Sequence, residues 1–211
     1  MTADDETQGE MPGAVKRSAP MQADPAATAT AEGLAAAAGR AARKGPPPVH
    51  LWNPPFCGDI DMEIRRDGSW FYLGTPIGRE GLVRLFASIL KLEDGKYFLV
   101  TPVEKVGIRV EDAPFVATDV TAADGTLTFT TNVGDSVTAD ADHPIRVEYS
   151  PDGTPRPYVM VRRGLEALID RKTFYRLAEI ATPAEWQGEA WLGLTSAGEF
   201  FPLIPMREMP A

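Results

Sequence analysis

The sequence predicts an α+β protein built from two small domains on a duplicated core of β-hairpin, helix and closing strand. Three observations support this prediction: an internal repeat, Asp-Gly turns between alternating strands, and one amphipathic helix in each copy. The chain has 211 residues, a length that suits one large domain or two small ones. Its hydrophobic fraction of 44% is sufficient for a sizeable core.

The repeat consists of three short blocks that recur in the same order. IDMEIRRDGS (60–69) resembles IRVEYSPDGT (145–154), IGREGLVRL (77–85) resembles IDRKTFYRL (169–177), and GKYFLVTP (95–102) resembles GEFFPLIP (198–205). The offset between matching blocks grows from 85 to 92 to 103 residues, as insertions in the second copy would require. This series indicates an internal duplication.

Each copy begins with a strand pair and continues into a helix. Asp67-Gly68 and Asp152-Gly153 predict tight turns between alternating strands. In the first copy, apolar residues at helical spacing follow, namely Leu82, Val83, Leu85, Phe86, Ile89 and Leu90. The second copy has Phe174, Tyr175, Leu177, Ala178 and Ile180 in the corresponding places, with Asp170 as the expected N-cap. A closing hairpin strand completes each unit.

The domain boundary is expected near Glu111–Pro114, where charge and proline interrupt two strand patterns. Further antiparallel strands follow, joined at Asp124-Gly125. We therefore assign 49–111 to an N-terminal α+β domain and 112–211 to a strand-rich C-terminal one.

The first 48 residues differ in composition from the rest. Residues 1–27 are poor in large apolar side chains, so we expect them to be disordered. Residues 28–48 predict an Ala-rich helix and a Pro linker, with Thr30 as N-cap and Gly45-Pro46 as the end. Leu34 is the only large apolar residue of this helix, so we expect light docking.

The charge distribution argues against nucleic acid as a partner. The formal net charge is −9, and the chain after residue 48, with 24 acidic and 16 basic residues, carries −8 of it. Such an acidic body repels phosphate backbones. The N-terminal segment lacks the apolar core of a secretory signal, and no run is long enough to span a membrane. We therefore expect a cytoplasmic protein with no membrane partner.

Three carboxylates alternate along the first strand, so that Asp59, Asp61 and Glu63 share one face. Converging carboxylates are typical of magnesium sites in phosphotransfer enzymes. A half-buried strand with a solvated polar face gives the same alternation. In the second copy, Pro144 and Arg146 stand in the places of Asp59 and Asp61. A magnesium-dependent phosphotransfer enzyme is therefore the alternative hypothesis.

Other catalytic arrangements have little support. Cys57 is the only cysteine, and His50 and His143 are the only histidines, which excludes an intrachain disulfide and a Cys/His zinc site. Ser136 lacks the Gly-x-Ser-x-Gly surroundings of a nucleophile elbow, and Asp94–Lys96 lacks a phosphate-binding glycine loop. We assign no catalytic residue, metal or cofactor, and expect a binding protein more than an enzyme.

Arginines at the helix starts point to an anion. Arg79 and Arg171 fall in the first turns of the two predicted helices, where the backbone is already positive. An arginine there needs a protein carboxylate or a ligand phosphate as its partner. The sequence leaves both options open.

Two polar turns provide further candidates, TNVGDSV (131–137) and GTPRPY (153–158). Turn formation alone would also explain their composition. Because clefts between domains are favoured ligand sites, we expect a pocket for a small anionic or nucleotide-like ligand in the cleft between the two domains. The candidate residues are Arg79, Lys105, Asn132, Asp135, Arg156 and Tyr158.

Several long motifs resemble the bacterial family known as domain of unknown function 1285. They are HLWNPPFCGDIDMEIRRDGSWFYLGTPIGREGLVRLFASIL, YFLVTPVEKVGIRVEDAPFVA, TNVGD and PRPYVMVRRGLEALIDRKTFYRLAEI, and the match runs from His50 to Pro205. The resemblance implies a duplicated two-domain core whose second domain is similar to a pleckstrin-homology barrel. It also implies a nucleotide-like ligand at the domain interface and a role in signal transduction. A purely structural, dimer-forming protein is a third possibility.

Overall fold

The computed structural model describes residues 30–42 and 47–208. The prediction of disorder for residues 1–27, and that of a helix end at Gly45-Pro46, therefore lie outside the described residues. Within them, the protein is mostly β, with three α-helices and two six-stranded sheets, one in each of two domains. Short 3₁₀ turns lie at Val49–Leu51 and Met206–Glu208.

Helix α1 (Ala31–Ala42) begins where the sequence predicts. The hydroxyl of Thr30 accepts a hydrogen bond from the N–H of Gly33 at 3.1 Å, which confirms the N-cap. Leu34 and three alanines are buried, and the helix packs against α2 (Glu80–Ser88). Docking is therefore firmer than predicted, because the short alanine side chains permit a close approach between the helices.

The first domain contains one sheet in the order β3-β2-β1-β6-β5-β4. Its strands are β1 (Phe56–Ile64), β2 (Trp70–Tyr72), β3 (Thr75–Pro76), β4 (Leu90–Glu93), β5 (Lys96–Val100) and β6 (Lys105–Val110). Helix α2 connects β3 to β4. The helical pattern was predicted to include Leu90, but this residue starts β4, because Leu90–Glu93 alternates and pairs with β5.

The second domain contains a sheet in the order β10-β11-β12-β7-β8-β9. Its strands are β7 (Phe115–Ala123), β8 (Thr126–Thr131), β9 (Ser136–Thr138), β10 (Ile145–Tyr149), β11 (Pro155–Arg162) and β12 (Leu165–Ile169). Helix α3 (Arg171–Ile180) follows. The Asp170 carboxylate accepts a hydrogen bond from the N–H of Thr173 at 2.7 Å, which confirms the predicted N-cap.

A third sheet, of three strands, follows α3. It consists of β13 (Thr182–Trp186), β14 (Glu189–Ser196) and β15 (Glu199–Pro205), in that order. Buried Ser196 joins it to the second sheet, since its hydroxyl accepts from the N–H of Leu127 at 2.8 Å and donates to the carbonyl of Ala139 at 2.6 Å. The third sheet is therefore held to the C-terminal domain.

The repeat in the sequence and the repeat in the sheets have different periods. Residues 60–102 and 145–205 share the order of three strands or strand segments, a helix and further strands, but the strands after α3 form their own sheet. Sheet topology repeats instead between β1–β6 and β7–β12. Each set consists of two three-stranded antiparallel meanders. The first and last strands of the set lie side by side and are parallel, β1 with β6 and β7 with β12, so that they join the two meanders into one sheet. Phe56 and Phe115, which open these sets, lie 59 positions apart.

The two domains meet at the turns before β2 and after β8. The Asn132 side chain donates to the carbonyl of Gly68 at 3.2 Å and accepts from the N–H of Val116 at 3.0 Å. Buried residues of both domains form one continuous core cluster that includes Ile64 and Phe129. The domains therefore share a core and a specific hydrogen-bonded junction.

Replacing Gly68 with alanine should destabilise this junction by about 3 kcal/mol. Gly68 has a φ of +81°, and a Cβ there would stand 2.5 Å from Asn132 Nδ2 and 2.9 Å from Val116 Cγ2. Gly125→Ala is the matched control, because Gly125 also has a positive φ, +73°, but has nothing within 4 Å. The control should cost about 1 kcal/mol in denaturant unfolding. Equal losses in the two variants would contradict the tight contact.

Candidate ligand-binding groove

A groove of about 500 Å³ lies between the domains, beside the segment that enters the first sheet. We call it the interdomain groove. It is lined by Ala42, Pro47, Val49, His50, Ser88, Leu90, Lys91, Leu92, Asp135, Arg162, Arg163 and Leu165. Its walls thus come from residues that precede the first sheet (Ala42, Pro47, Val49 and His50), from the end of α2 and the start of β4, and from two turns of the second sheet.

The β11–β12 hairpin places two arginines at the groove. Its two-residue turn is Arg163-Gly164, and both residues have left-handed φ values, 46° and 80°. Such a turn suits the right-handed twist of the strands. A Cβ at Gly164 would stand 3.2 Å from Leu92 Cδ2, so the tip lies close against the first domain. Arg163, which is exposed, lines the groove from this hairpin tip.

Arg162 is fixed from three directions. One terminal nitrogen pairs with the Asp135 carboxylate, and the other donates to the carbonyl of Ala87, in the last turn of α2, at 2.8 Å. The guanidinium carbon also lies 4.7 Å from the ring centroid of buried Phe115. Arg162 therefore links the second sheet to the first domain as it lines the groove.

The groove is basic although the protein is acidic. Lys91, Arg162 and Arg163 line it, and among the described residues of its lining Asp135 is the only acidic one. The Lys91 ammonium already has two partners within the protein. It lies 2.6 Å from Glu93 Oε1 and 3.2 Å from the carbonyl of Trp52. The lining also includes the apolar side chains of Val49, Leu90, Leu92 and Leu165. An anionic ligand with an apolar part is complementary to such walls.

The structure brings only one of the predicted residues, Asp135, into this groove. Asn132 instead bonds the two domains together. Arg79 is exposed and forms the N-cap of α2 rather than part of its first turn, and its side chain makes no capping hydrogen bond. Arg171 bonds the hydroxyl of Tyr175 at 2.9 Å, and so has a neutral partner where an anion was expected.

Lys105 lies in a second, larger groove of about 840 Å³ on the first sheet. Its ammonium lies 2.7 Å from Glu93 Oε2 and 5.1 Å from the ring centroid of Phe98. Hydrogen bonds from Lys105 and Lys91 lower the pKa of Glu93. The acids lining this groove are Asp59, Glu63 and Glu111, and the bases are Lys96, Lys105 and Arg109. Because the opposite charges are equal in number and one domain forms all the walls, we prefer the interdomain groove.

Two of the three alternating carboxylates of β1 pair with Arg109 on β6. Arg109 Nη2 lies 3.0 Å from Asp61 Oδ1 and 3.9 Å from Glu63 Oε2, and Asp59 lies over Gly107. Within 30–42 and 47–208, no group of three or more His, Cys, Asp or Glu side chains is placed to hold a metal ion. A magnesium-dependent phosphotransfer activity remains a prediction. Two of the three carboxylates that it would use are already paired with Arg109.

Arg156 and Tyr158 converge on Asp112 at the domain boundary. Asp112 Oδ1 accepts from Arg156 Nη2 at 2.6 Å and from the Tyr158 hydroxyl at 2.7 Å. Its Oδ2 lies 3.2 Å from Arg66 Nε, of the first domain. We call these four residues the Asp112 cluster. Because its arginines already have an internal anion, the cluster is a structural connection in this structure.

The Asp112 cluster predicts a loss of stability in alkali. Burial, followed by the hydrogen bond to Asp112, raises the pKa of Tyr158 to about 12. Between about pH 10 and 12 the unfolded tyrosine ionises before the folded one, so stability falls as the pH rises. Tyr158→Phe should have a smaller fall in melting temperature over this range. Some fall should remain, since burial also raises the pKa of Tyr97. Parallel curves for the two proteins would contradict this assignment.

The groove cations Lys91, Arg162 and Arg163 were not among the residues predicted from the sequence. Arg162 follows the apolar run of β11 and looks like the polar end of a strand. The Arg-Gly pair after that run was the available signal, because a glycine between two apolar strand patterns favours a tight hairpin turn, which would have placed both arginines at a hairpin tip. Lys91 was hidden by the extended helical pattern.

Fold and groove together define a two-domain, β-rich protein with a basic groove at the domain junction. The model described as "Domain of unknown function (DUF1285), N-terminal domain" matches residues 47–113, and that described as "Protein of unknown function (DUF1285), C-terminal domain" matches residues 114–203. The chain belongs to the DUF1285 family, as the resemblance in its sequence indicated.

Two crystal structures of the family are similar to this chain. A DUF1285 family protein from Silicibacter pomeroyi DSS-3 is 60% identical, with a TM-score of 0.75, over 83% of this chain and 97% of that one. A DUF1285 family protein from Shewanella baltica OS155 is 33% identical, with a TM-score of 0.46, over 56% of this chain and 90% of that one. No curated protein matches the chain. The described helices include none with the length and apolar character needed to cross a bilayer.

Proposed function

We propose that the protein binds a small anionic ligand with an apolar part in the interdomain groove. The main support is the charge of the groove walls, where the described residues contribute three cationic side chains and one carboxylate, Asp135, in a chain of net charge −9. A positively charged groove on a negatively charged protein attracts an anion that the rest of the surface repels.

The size and composition of the groove support the same ligand class. Its volume of about 500 Å³ is within the ordinary range for small-molecule sites. Leucines and a valine provide an apolar wall for a ring or chain, and the arginines provide planar donors for phosphoryl or carboxylate oxygens. A nucleotide-like ligand has both parts.

Two finer proposals depend on this one. The family resemblance suggests a role in bacterial signal transduction, and the groove supports it because a ligand there would contact both domains. The resemblance also suggests a pleckstrin-homology-like shape for the second domain. The supporting feature is a six-stranded sheet followed in the chain by the helix α3.

The test is calorimetric titration with adenosine 5′-monophosphate (AMP). Arg163→Glu should weaken binding at least tenfold, since it replaces an exposed groove cation with an anion. Lys172→Glu is the matched control, because it makes the same charge change at an exposed position on α3. Equal weakening by both variants would indicate a non-specific charge effect. Absence of binding to the unaltered protein would refute the proposal.

A further inference from the structure

Asp135 occupies the side of Arg162 that faces the interdomain groove. Both residues line the groove, whereas Ala87 and Phe115, the other partners of Arg162, are buried and do not. The Arg162 and Asp135 side chains are 27% and 35% exposed. An anion that enters the groove therefore meets Asp135 before it can pair fully with Arg162.

We propose that Asp135 is a built-in counter-anion that a phosphoryl group displaces from Arg162, so that the groove selects phosphoryl dianions over carboxylates. This inference rests on the proposed function and specifies its ligand class. No covalent step is involved.

The selectivity follows from comparing two exchanges. A ligand carboxylate that replaces the Asp135 carboxylate gains no additional charge interaction, and it loses the translational freedom of a free molecule. A phosphoryl group carries nearly two negative charges and three acceptor oxygens. Both Arg162 and Arg163 line the groove, so its extra charge and oxygens have a second guanidinium available, and its exchange with Asp135 is favourable.

Asp135 can leave without unfolding its turn. Its backbone N–H donates to the hydroxyl of Thr131 at 3.0 Å, and its carbonyl accepts from the N–H of Thr131 at 2.9 Å. Only the side chain has to move, and it is already partly hydrated. Arg162 stays in position meanwhile, because the carbonyl of Ala87 and the ring of Phe115 hold its guanidinium. The receiving site is thus preorganised and the displaced group is free to move.

The experiment compares AMP with adenosine-5′-carboxylic acid, which share the nucleoside and differ in the anion. Calorimetry at pH 7.5 should give at least tenfold tighter binding of AMP to the unaltered protein. Asp135→Asn should bind the carboxylate at least tenfold tighter than the unaltered protein does, so that the preference shrinks. Asp119→Asn, which breaks an exposed pair with Arg176 elsewhere, is the matched control and should keep the preference.

The outcomes separate this inference from the proposed function. If AMP binds and Arg163→Glu weakens it, but Asp135→Asn does not tighten carboxylate binding, the counter-anion role is refuted and the groove remains. If the unaltered protein and Asp135→Asn bind neither ligand, both proposals are refuted. Asp135→Ser provides a second removal of the charge, should the asparagine variant fold poorly.

Discussion

Asp112→Ala should lower the free energy of unfolding by about 3 kcal/mol. The Asp112 side chain is 4% exposed and holds Arg156, Tyr158 and Arg66. Its removal leaves a partly buried guanidinium and a buried hydroxyl without their acceptor. The loss is smaller than for a fully buried ion pair, since Arg66 is 64% exposed and regains water. Urea unfolding followed by tryptophan fluorescence would measure it.

An exposed aspartate–arginine pair serves as the control for Asp112. Asp119 pairs with Arg176 at the surface, where both side chains are largely solvated. Asp119→Ala should leave the unfolding midpoint nearly unchanged. If the two variants lose similar stability, the Asp112 cluster does not hold the domains together. The shape of the interdomain groove would then need another explanation.

Ser196→Ala should also be severely destabilising, by about 3 kcal/mol. Ser196 is fully buried, and its hydroxyl is both donor and acceptor between β14 and the second sheet. Alanine leaves the N–H of Leu127 and the carbonyl of Ala139 without this partner. Buried unpaired backbone groups cost about 1–3 kcal/mol each.

The loss of stability in Ser196→Ala should be concentrated in the third sheet. Amide hydrogen exchange should accelerate first in β13–β15, since the hydroxyl of Ser196 joins their sheet to β8. Thr195→Ala, at the exposed neighbouring position, is the control and should have little effect on either measurement. Uniform acceleration throughout the chain in Ser196→Ala would show that the third sheet is not a separable unit.

Local signals predicted much of the secondary structure. The caps at Thr30 and Asp170 and the Asp-Gly turns depend on neighbouring residues, so the sequence contains them directly. Sheet partnership depends on distant residues. The parallel pairs of β1 with β6 and of β7 with β12 join strands about fifty residues apart, and alternation within a strand does not identify its partner. The sequence repeat therefore gave a period that the sheets do not share.

The candidate site was harder to predict for the same reason. Arg79 was chosen by a local rule about helix ends, and it lies exposed at the start of α2. Arg156 and Tyr158 were read as ligand contacts, yet Asp112, more than forty residues away, is their partner. Asp135, in one of the two polar turns, is the only one of the six candidates that lines the interdomain groove, and Lys105 lines the groove on the first sheet. The position of a guanidinium relative to distant carboxylates is a property of the tertiary fold.

A crystal structure of the protein with AMP would show directly whether the interdomain groove is the ligand site. We expect phosphoryl oxygens within hydrogen-bond distance of Arg162 and Arg163, the adenosine against Leu90 and Leu165, and the Asp135 carboxylate turned away. AMP bound on the first sheet over Gly107, or at the start of α2 beside Arg79, would contradict this expectation.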